Sequence, residues 1–399
     1  MLCLVPMRTR MSILRLISMS DEESIDPDDI RKRILRELEI QGFKVNPHIK
    51  PPLESKELLK NIHRRKKMER IRHHRKRLKR CLRAVKEHTI NGADLDPERI
   101  DLEIREILPN DGDADIAFWW DLVWWSLPHT KMYGRQIRLL LWDKGHDSPF
   151  GLLSLQSPPI RSNVRDNFLG IPEDEHDYWI NQGMYAQRVG AFPPYNDLLG
   201  GKFVAMTMVS NELREIYERK YEGLRTLLKD RILPARLLFV TTTSAYGKSS
   251  MYDRIRYKED EIGEAIGFTS GTGTFHIPED VYQDLIKFMA AQGKDVSRGF
   301  GTGPSRKLRL TYEGLQLLGI GRLITHNVRR SIYVFFTVNN FSDIVKHEAE
   351  PEWKDYSFSN LFKYWHKRYC LPRAERIDRW RDFDSQEFIR NAEALLDVT

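Results

Sequence analysis

Two stretches of this 399-residue chain indicate how it folds. Residues 190–206 read GAFPPYNDLLGGKFVAM, and residues 236–255 read RLLFVTTTSAYGKSSMYDRI. In the first, a glycine pair opens an amphipathic helix. In the second, a run of β-forming residues ends in a hydroxyl-rich turn that predicts entry into another helix. We therefore expect polar groups at the end of a sheet, which is where α/β folds tend to bind ligands.

The flanking segments extend this mixed pattern. Apolar runs predict strands at residues 135–143, 149–156 and 331–339, and we also expect a strand at 307–311 and a helix at 249–256. The predicted fold class is α+β: an N-terminal helical region, a mixed α/β core domain and a C-terminal α/β extension. By residue number, the predicted division is a leader of uncertain start at 1–20, the helical region at 21–112, the core domain at 113–295 and the extension at 306–399.

The composition excludes several classes of protein. With 41% hydrophobic and 11% aromatic residues, the chain has enough apolar side chains for a large folded core. Its three cysteines, Cys3, Cys81 and Cys370, are too sparse for a disulfide framework and too far apart for a CxxC zinc site. No window of about 18 residues is apolar and uncharged enough to predict a membrane span. We expect a cytoplasmic protein that does not enter a membrane.

Positive charge is concentrated in one segment. Residues 60–83 contain 13 Lys or Arg and a single acid, Glu69, whereas the whole chain carries only +7. We expect one long helix over residues 56–86, because its apolar side chains fall on one narrow stripe. Its basic surface is either simply solvated or in contact with an anionic partner, which is a nucleic acid or an acidic protein face. The predicted nucleic-acid contacts are Arg64, Arg65, Lys66, Lys67, Arg70, Arg72, Arg75, Lys76, Arg77, Lys79 and Arg80.

A tryptophan cluster follows this segment. Trp120 and Trp124 are spaced by one helical turn, and Trp119 and Trp125 are their neighbours in sequence. We interpret the cluster as core packing or a domain seam rather than as a base-stacking surface, because stacked aromatics usually lie on open sheets or grooves.

The turn Gly200-Gly201-Lys202 is the best candidate for a small-ligand site. Two glycines allow a ligand to approach the backbone, a helix N-terminus offers free N–H groups, and Lys202 adds a positive charge. A diphosphate or a nucleic-acid phosphate fits this pattern. The alternative is that the glycines only permit close packing of a strand against the helix.

Two further motifs carry weaker predictions. Gly247-Lys248-Ser249 suggests a phosphate-binding P-loop, but that motif requires a glycine where Thr242 stands, so we exclude it. Asp166, Asp197 and Tyr195 are candidate catalytic residues, without a spacing that identifies a reaction. We predict no metal site, since no HExxH or EF-hand motif occurs.

Five segments, in order along the chain, resemble the DruA family, the A component of the Druantia anti-phage defence system. They are YGRQIRLLLWD (133–143), GLLSLQSPPIRSNVRDNFLGI (151–171), GAFPPYNDLLGGKFVAM (190–206), the strand and turn at 236–255, and GTFHIP (273–278). The resemblance runs from about Ile30 to Ala291, and LPRAERIDRW (371–380) extends it. It implies a bacterial cytoplasmic protein that acts beside other defence subunits, including a large helicase-like ATPase.

The order of strands and turns in the core domain also resembles GNAT acyltransferases. In that family, a Q/R-x-x-G-x-G/A loop binds the phosphates of acyl-CoA. Here the loop would begin at Asp197 and end at Lys202, and both residues depart from the pattern. Three functions stay open: a defence protein that binds nucleic acid, an acyltransferase that uses acyl-CoA, and a metal-dependent DNA-processing enzyme such as a nuclease or transposase, with Asp166 and Asp197 as ligands.

Overall fold

The computed structural model of the chain describes residues 26–45, 49–51, 60, 62–109, 111–127, 131–226, 229–297 and 305–398. Within these residues, helices pack around a seven-stranded mixed sheet, which confirms the α+β fold class. The strands are β1 (Lys44–Val45), β2 (Ile49–Lys50), β3 (Leu102–Glu106), β4 (Gln136–Asp143), β5 (Ser148–Gln156), β6 (Gly183–Ala191), β7 (Phe239–Thr243), β8 (Arg256–Tyr257), β9 (Asp260–Glu261), β10 (Gly263–Phe268) and β11 (Ser331–Phe336).

The α-helices lie before, between and after the strands of this sheet. They are α1 (Pro27–Ile40), α2 (Arg64–His73), α3 (Arg75–His88), α4 (Gly112–Val123), α5 (Asn163–Leu169), α6 (His176–Ile180), α7 (Gly200–Met206), α8 (Asn211–Tyr221), α9 (Glu279–Ala291), α10 (Arg306–Leu317), α11 (Phe341–His347), α12 (Phe358–Trp365), α13 (Leu371–Ala374) and α14 (Ser385–Val398). A π-helical turn, His366–Cys370, joins α12 to α13.

The strand order of the large sheet is β10-β11-β7-β6-β5-β4-β3. Neighbouring strands are antiparallel except β6 and β7, which run parallel and pair from Gly183 to Ala186. A parallel pair needs a crossover connection, and α7 and α8 supply it. β11, from the C-terminal third of the chain, lies between β7 and β10 and therefore completes the core sheet.

Side chains alternate between the two faces along each strand, so both faces of the sheet carry apolar residues. Helices cover both faces. In β4, Ile137, Leu139 and Leu141 face a core shared with α7, α8 and α12. Leu140 and Trp142 face the opposite core, which contains residues of α3, α4 and α14. The basic helix α3 is therefore part of the layer that covers one face of the sheet.

A separate hydrophobic cluster joins α1 to the helices α9 and α10. Helix α1 has an N-terminal cap: the Asp26 side chain accepts a hydrogen bond from the Asp28 backbone N–H at 2.9 Å, and Pro27 is the first helical residue. An ion pair between Arg33 and Asp284, at 2.6 Å, links α1 to α9. The N-terminal helix thus contacts residues far along the chain, and the division into domains stays a prediction.

The strand that we predicted at residues 307–311 is wrong. This segment begins α10, and the Ser305 hydroxyl caps the helix by accepting from the Leu308 N–H at 3.3 Å. Leu310, Gly314 and Leu315 are buried on one face, which is the spacing of a helix and not of a strand.

The helix that we predicted at residues 249–256 is also wrong, because this segment consists of turns up to residue 254 and then enters strand β8 at Arg256. Arg254 has a φ of 57°, and a left-handed residue ends a right-handed helix. The carbonyl groups of Ser250 and Asp253 accept hydrogen bonds from the Lys202 ammonium instead of from helical N–H groups.

Among the described residues, no helix is both long and apolar enough to cross a membrane.

Candidate functional site

The basic segment folds as two helices in series, α2 and α3, and not as the single helix predicted for residues 56–86. Residues 52–59 and 61 lie outside the described residues. His74 separates the helices, and its ring packs edge-on against Phe118 at 5.3 Å between centroids. Helical hydrogen bonds still flank the break, from the His74 N–H to the Arg70 carbonyl and from the Leu78 N–H to the His74 carbonyl. The two helices therefore follow each other with only His74 between them, and we call the pair the rod.

The inner face of this rod is apolar. Leu78, Cys81 and Val85 are buried on one side of α3, against α4 and α14. Trp119 and Trp120 of α4 are fully buried in the same cluster, where the Trp120 ring stacks on Phe388 at 5.5 Å. This confirms core packing for Trp119 and Trp120, whereas Trp124 and Trp125 pack half-buried against the same cluster.

Several cations of the rod form ion pairs with acids of α4 and α14, the helices against which it packs. Arg77 pairs with Asp115 at 3.1 Å and lies 3.8 Å above the Phe118 ring. Lys79 pairs with Asp397 at 2.6 Å, which also lies 3.9 Å from Arg75. Because each of these pairs is at least partly exposed, each contributes little to stability and mainly fixes the position of the side chain.

The opposite face of the rod carries exposed cations without acidic partners. We call Arg72, Lys76, Arg80 and Arg83 the outer stripe, because spacings of four, four and three residues place them on one side of the rod. No ion pair involves any of these four side chains in the described part of the chain. With a rise of 1.5 Å per residue, the stripe extends over about 16 Å.

The outer stripe costs stability in the isolated protein. Like charges spaced four residues apart repel and destabilise a helix by roughly 0.2–0.5 kcal/mol per pair. Since acids on α4 and α14 neutralise only the inner cations, the rod keeps a strongly positive outer surface. An anionic partner on this surface would relieve the repulsion.

Lysines near the N-terminus of the rod are less exposed to solvent than the cations of the outer stripe. Lys66 and Lys67 are half-buried, and burial lowers the pKa of each ammonium to about 8. The Lys67 ammonium donates to the Val123 carbonyl at 2.7 Å, so it is held by the fold. Arg64 is exposed and Arg70 is half-buried, whereas the side chain of Arg65 lies outside the part that the structure describes.

The Gly200-Gly201 pair lies where no side chain fits. A Cβ atom on Gly200 would lie 2.7 Å from both the Ala191 Cβ and the Tyr195 carbonyl oxygen, and one on Gly201 would lie 2.7 Å from the Met251 sulfur. The glycines therefore let β6, α7 and the 249–254 turns pack closely. This geometry gives the pair a packing function, and binding of a ligand at this turn stays a prediction.

Lys202 points into the same packed region. Its ammonium donates to the carbonyl groups of Ser250 at 2.9 Å and Asp253 at 3.0 Å, and burial lowers its pKa. These hydrogen bonds hold the turns that replace the predicted helix. A bound diphosphate would compete with them for the same ammonium.

The candidate catalytic residues lie in separate environments. The Tyr195 hydroxyl is fully buried and donates to Asp143 at 2.8 Å; burial, followed by the Asp143 charge, raises its pKa well above the usual value. Asp197 is paired with Arg379. Asp166 accepts from Arg165 at 2.7 Å and lies 3.1 Å from His176.

All three candidates are thus engaged by neighbouring groups. Among the residues that the structure describes, no three His, Cys, Asp or Glu side chains form a cluster that could hold a metal ion.

The sequence prediction missed Arg83, whose spacing of three residues after Arg80 is the signal that places it on the outer stripe.

Known proteins provide an independent comparison. A family model described as Druantia protein DruA matches residues 53–347 of the chain. The chain is 28% identical over 378 residues to Druantia protein DruA from Escherichia coli (strain UMEA 4076-1), a match that covers 91% of this chain and 92% of that protein. No solved structure matches the chain.

Proposed function

The chain belongs to the DruA family, and we propose that it binds nucleic acid through the outer stripe of α2 and α3. Family membership supports a role as a component of the Druantia anti-phage defence system. The proposal names what this component contacts. It is a phosphate-directed mode of binding, in which lysine and arginine side chains neutralise the backbone and no base is read.

One observation carries the proposal: four exposed cations share one side of a helical rod and have no acidic partner among the described residues. The stripe is about 16 Å long, and each strand of duplex DNA presents one phosphate for every 3.4 Å of helix axis. A strand lying along the stripe therefore offers about four phosphates to four cations. Arg64 is an exposed cation at the first turn of the rod, about 80° around α2 from Arg72 and therefore beside the stripe rather than on it.

An acidic protein face is the competing partner for the same surface. The rest of the chain outside residues 60–83 is net acidic, so a second copy of this chain would also attract the stripe. Nucleic acid is favoured because the cations form one regular line. A backbone of evenly spaced charges matches such a line better than the scattered acids of a folded protein do.

The salt dependence of binding tests the proposal. Four phosphate contacts give a slope near −3.6 in a plot of log K against log salt, so affinity for a short duplex of 8 base pairs, long enough to cover the stripe, should fall about 100-fold between 50 and 200 mM salt. Fluorescence anisotropy with labelled duplexes of two unrelated sequences measures this. The two sequences should bind alike, because phosphate contacts carry no sequence information.

Two results would overturn nucleic-acid binding. The first is no binding to any duplex or single strand at 50 mM salt. The second is a flat salt response, which would mean that the contact is not ionic. Binding to polyglutamate with no binding to DNA or RNA would favour the acidic protein face instead.

We propose that this component works with other subunits of the defence system, including a helicase-like ATPase, in the cytoplasm of a bacterium. Family membership supports partners of this kind, and the nucleic acid on the outer stripe would be the substrate shared with the ATPase. Co-purification of tagged protein with co-encoded subunits, with and without nuclease treatment, tests this. Loss of the subunits after nuclease treatment would mean that nucleic acid bridges them.

The two enzyme alternatives are less well supported by the geometry. For an acyltransferase, Lys202 would have to release the Ser250 and Asp253 carbonyl groups before binding acyl-CoA. For a metal-dependent DNA-processing enzyme, Asp166 and Asp197 would have to leave their arginine partners. A thermal shift with millimolar CoA tests the first, and metal-dependent cleavage of labelled DNA tests the second.

A further inference from the structure

A second group of cations lies at one end of the sheet, outside the rod. We call Lys248, Arg329 and Arg330 the basic turn. Its two segments are joined by hydrogen bonds: the Ser331 N–H donates to the Gly247 carbonyl at 2.9 Å, and the Ser244 N–H donates to the Ser331 carbonyl at 2.9 Å. The three cations therefore belong to one rigid corner, where β7 ends and β11 begins.

The hydroxyl groups of this corner form hydrogen bonds to other groups of the fold. The Thr242 hydroxyl donates to the Ala186 carbonyl at 2.8 Å, and the Thr243 hydroxyl bonds the Tyr185 hydroxyl at 2.8 Å. The Ser244 hydroxyl donates to the Gly247 carbonyl and accepts from the Ser331 N–H. These groups shape the corner and leave its outer surface to the cations.

The cations of the basic turn have no acidic partners in the described chain. Lys248 and Arg329 are exposed and Arg330 is half-buried, and no ion pair involves any of them among the described residues. The Arg329 guanidinium lies 5.3 Å from the centre of the Phe268 ring, a contact that orients it without neutralising it.

The basic turn adjoins the start of the rod. His63, the residue before α2, packs its ring 6.0 Å from Tyr246 and 4.6 Å from Phe275. Burial, and then the nearby Arg330 and Lys66 charges, lower the pKa of the His63 imidazole to about 3. Arg64, the first residue of α2, is exposed next to this contact.

We propose that Lys248, Arg329 and Arg330 form a second phosphate-binding surface, so that one nucleic-acid chain runs from the outer stripe along α2 onto the basic turn. This inference rests on the proposed function. From Arg83 to Arg64 the rod covers about 28 Å, and the basic turn lies beyond that end. A duplex of about 8 base pairs, near 27 Å long, covers the rod alone, whereas 20 base pairs reach both surfaces.

Duplex length therefore separates the two surfaces. The variant K248E/R329E/R330E should weaken binding of a 20-base-pair duplex at least tenfold and reduce its salt slope by roughly 2–3, since about 0.9 is lost for each phosphate contact. Its affinity for a hairpin-closed duplex of 8 base pairs should stay within about threefold of wild type. The control K32E/R36E/K346E changes the net charge equally, at exposed sites on α1 and α11.

The remaining outcomes separate failure of the inference from failure of the proposed function. If wild type binds DNA but the variant binds 20 base pairs normally, the nucleic acid stays on the rod and the inference fails while the proposed function stands. If both lengths lose affinity equally, or if the control loses as much as the variant, the basic turn is not a separate contact. If wild type binds neither length, the proposed function itself has failed. Should Arg330 prove necessary for folding, K248E/R329E alters only exposed side chains and should show half or more of the loss in slope.

Discussion

The outer stripe and the Gly200-Gly201-Lys202 turn contain the same kinds of residues that bind phosphates elsewhere, yet their chemistry differs. On the stripe, Arg72 and Lys76 are exposed and have no acidic partner among the described residues. At the turn, the Lys202 ammonium already donates to carbonyl groups of the fold, and the glycines are packed against Ala191, Tyr195 and Met251.

This difference shows that residue type alone does not identify a binding surface. A polar group that the fold already satisfies must break those bonds before it binds a ligand, whereas an unsatisfied exposed charge loses only water. The stripe should therefore tolerate mutation without loss of stability and lose binding. Mutations in the packed interior should instead lower stability and leave binding unchanged.

The largest effect is expected from acid, at three buried histidines. Burial is the main cause that lowers the pKa of His63 to about 3, of His276 to about 4 and of His326 to about 3. Unfolded histidines have a pKa near 6.5, so below pH 6.5 the unfolded chain binds more protons than the native one. The free energy of unfolding should have its full value above pH 6.5. It should fall by roughly 1.4 kcal/mol per pH unit for each histidine as the pH falls towards 4.

Urea denaturation at pH 7, 6 and 5 measures this loss. His276→Gln should reduce the pH dependence of the free energy of unfolding, because it removes one of the three buried imidazoles. Equal stability at pH 7 and pH 5 would show that the histidines are not buried as neutral groups.

Gly200→Ala is expected to have the next largest effect. Its methyl group would meet the Ala191 Cβ and the Tyr195 carbonyl oxygen at 2.7 Å, and overpacking of this kind costs about 1–3 kcal/mol. Gly112→Ala is the matched control, because nothing lies within 4 Å of its Cβ position at the start of α4. Thermal melts compare the two; a neutral Gly200→Ala would mean that this turn is open enough for a ligand.

Lys202→Met should destabilise the protein by roughly 1–2 kcal/mol, because the Ser250 and Asp253 carbonyl groups lose a charged donor. Lys32→Met, at an exposed lysine of α1, should be neutral. Denaturant midpoints test the difference. If instead wild type melted several degrees higher with millimolar CoA and Lys202→Met did not, the turn would be a ligand site after all.

The smallest effect on stability is expected at the outer stripe itself. Arg72→Gln/Lys76→Gln/Arg80→Gln should change the free energy of unfolding by no more than about 0.5 kcal/mol, and in the stabilising direction, since it removes repulsion between turns. The same denaturant titrations measure it. A loss of more than about 1 kcal/mol would show that these side chains hold the fold.

Much of this architecture could be predicted from sequence, because local patterns decided it. The strands β4 and β5 lie within one residue of their predicted bounds, since both are long apolar runs around a polar turn. Asp26 and Pro27 are residue types typical of a helix start, and they form the N-terminal cap of α1. The family was recognised from segments that lie mostly on the sheet and its turns.

Other features depended on contacts that no local pattern contains. The segment at 307–311 belongs to a helix whose later residues pack against α9: Gly314 lies against Leu285, and Leu315 is in the same hydrophobic cluster. The division of the basic segment into paired and unpaired cations depends on Asp115 and Asp397, which come from distant parts of the chain. Which cations remain free could therefore be learned only from the fold.

Charge reversal on the outer stripe shows whether its unpaired cations bind nucleic acid or whether net charge alone attracts it. The dissociation constants of R72E/K76E/R80E and of the charge-matched control K32E/R36E/K346E are measured for the same 20-base-pair duplex at 100 mM salt. The stripe variant should bind about 100-fold more weakly than wild type, with the control within about threefold. Equal loss in both variants would mean that only net charge attracts the duplex, and no loss in the stripe variant would show that the outer stripe does not bind nucleic acid.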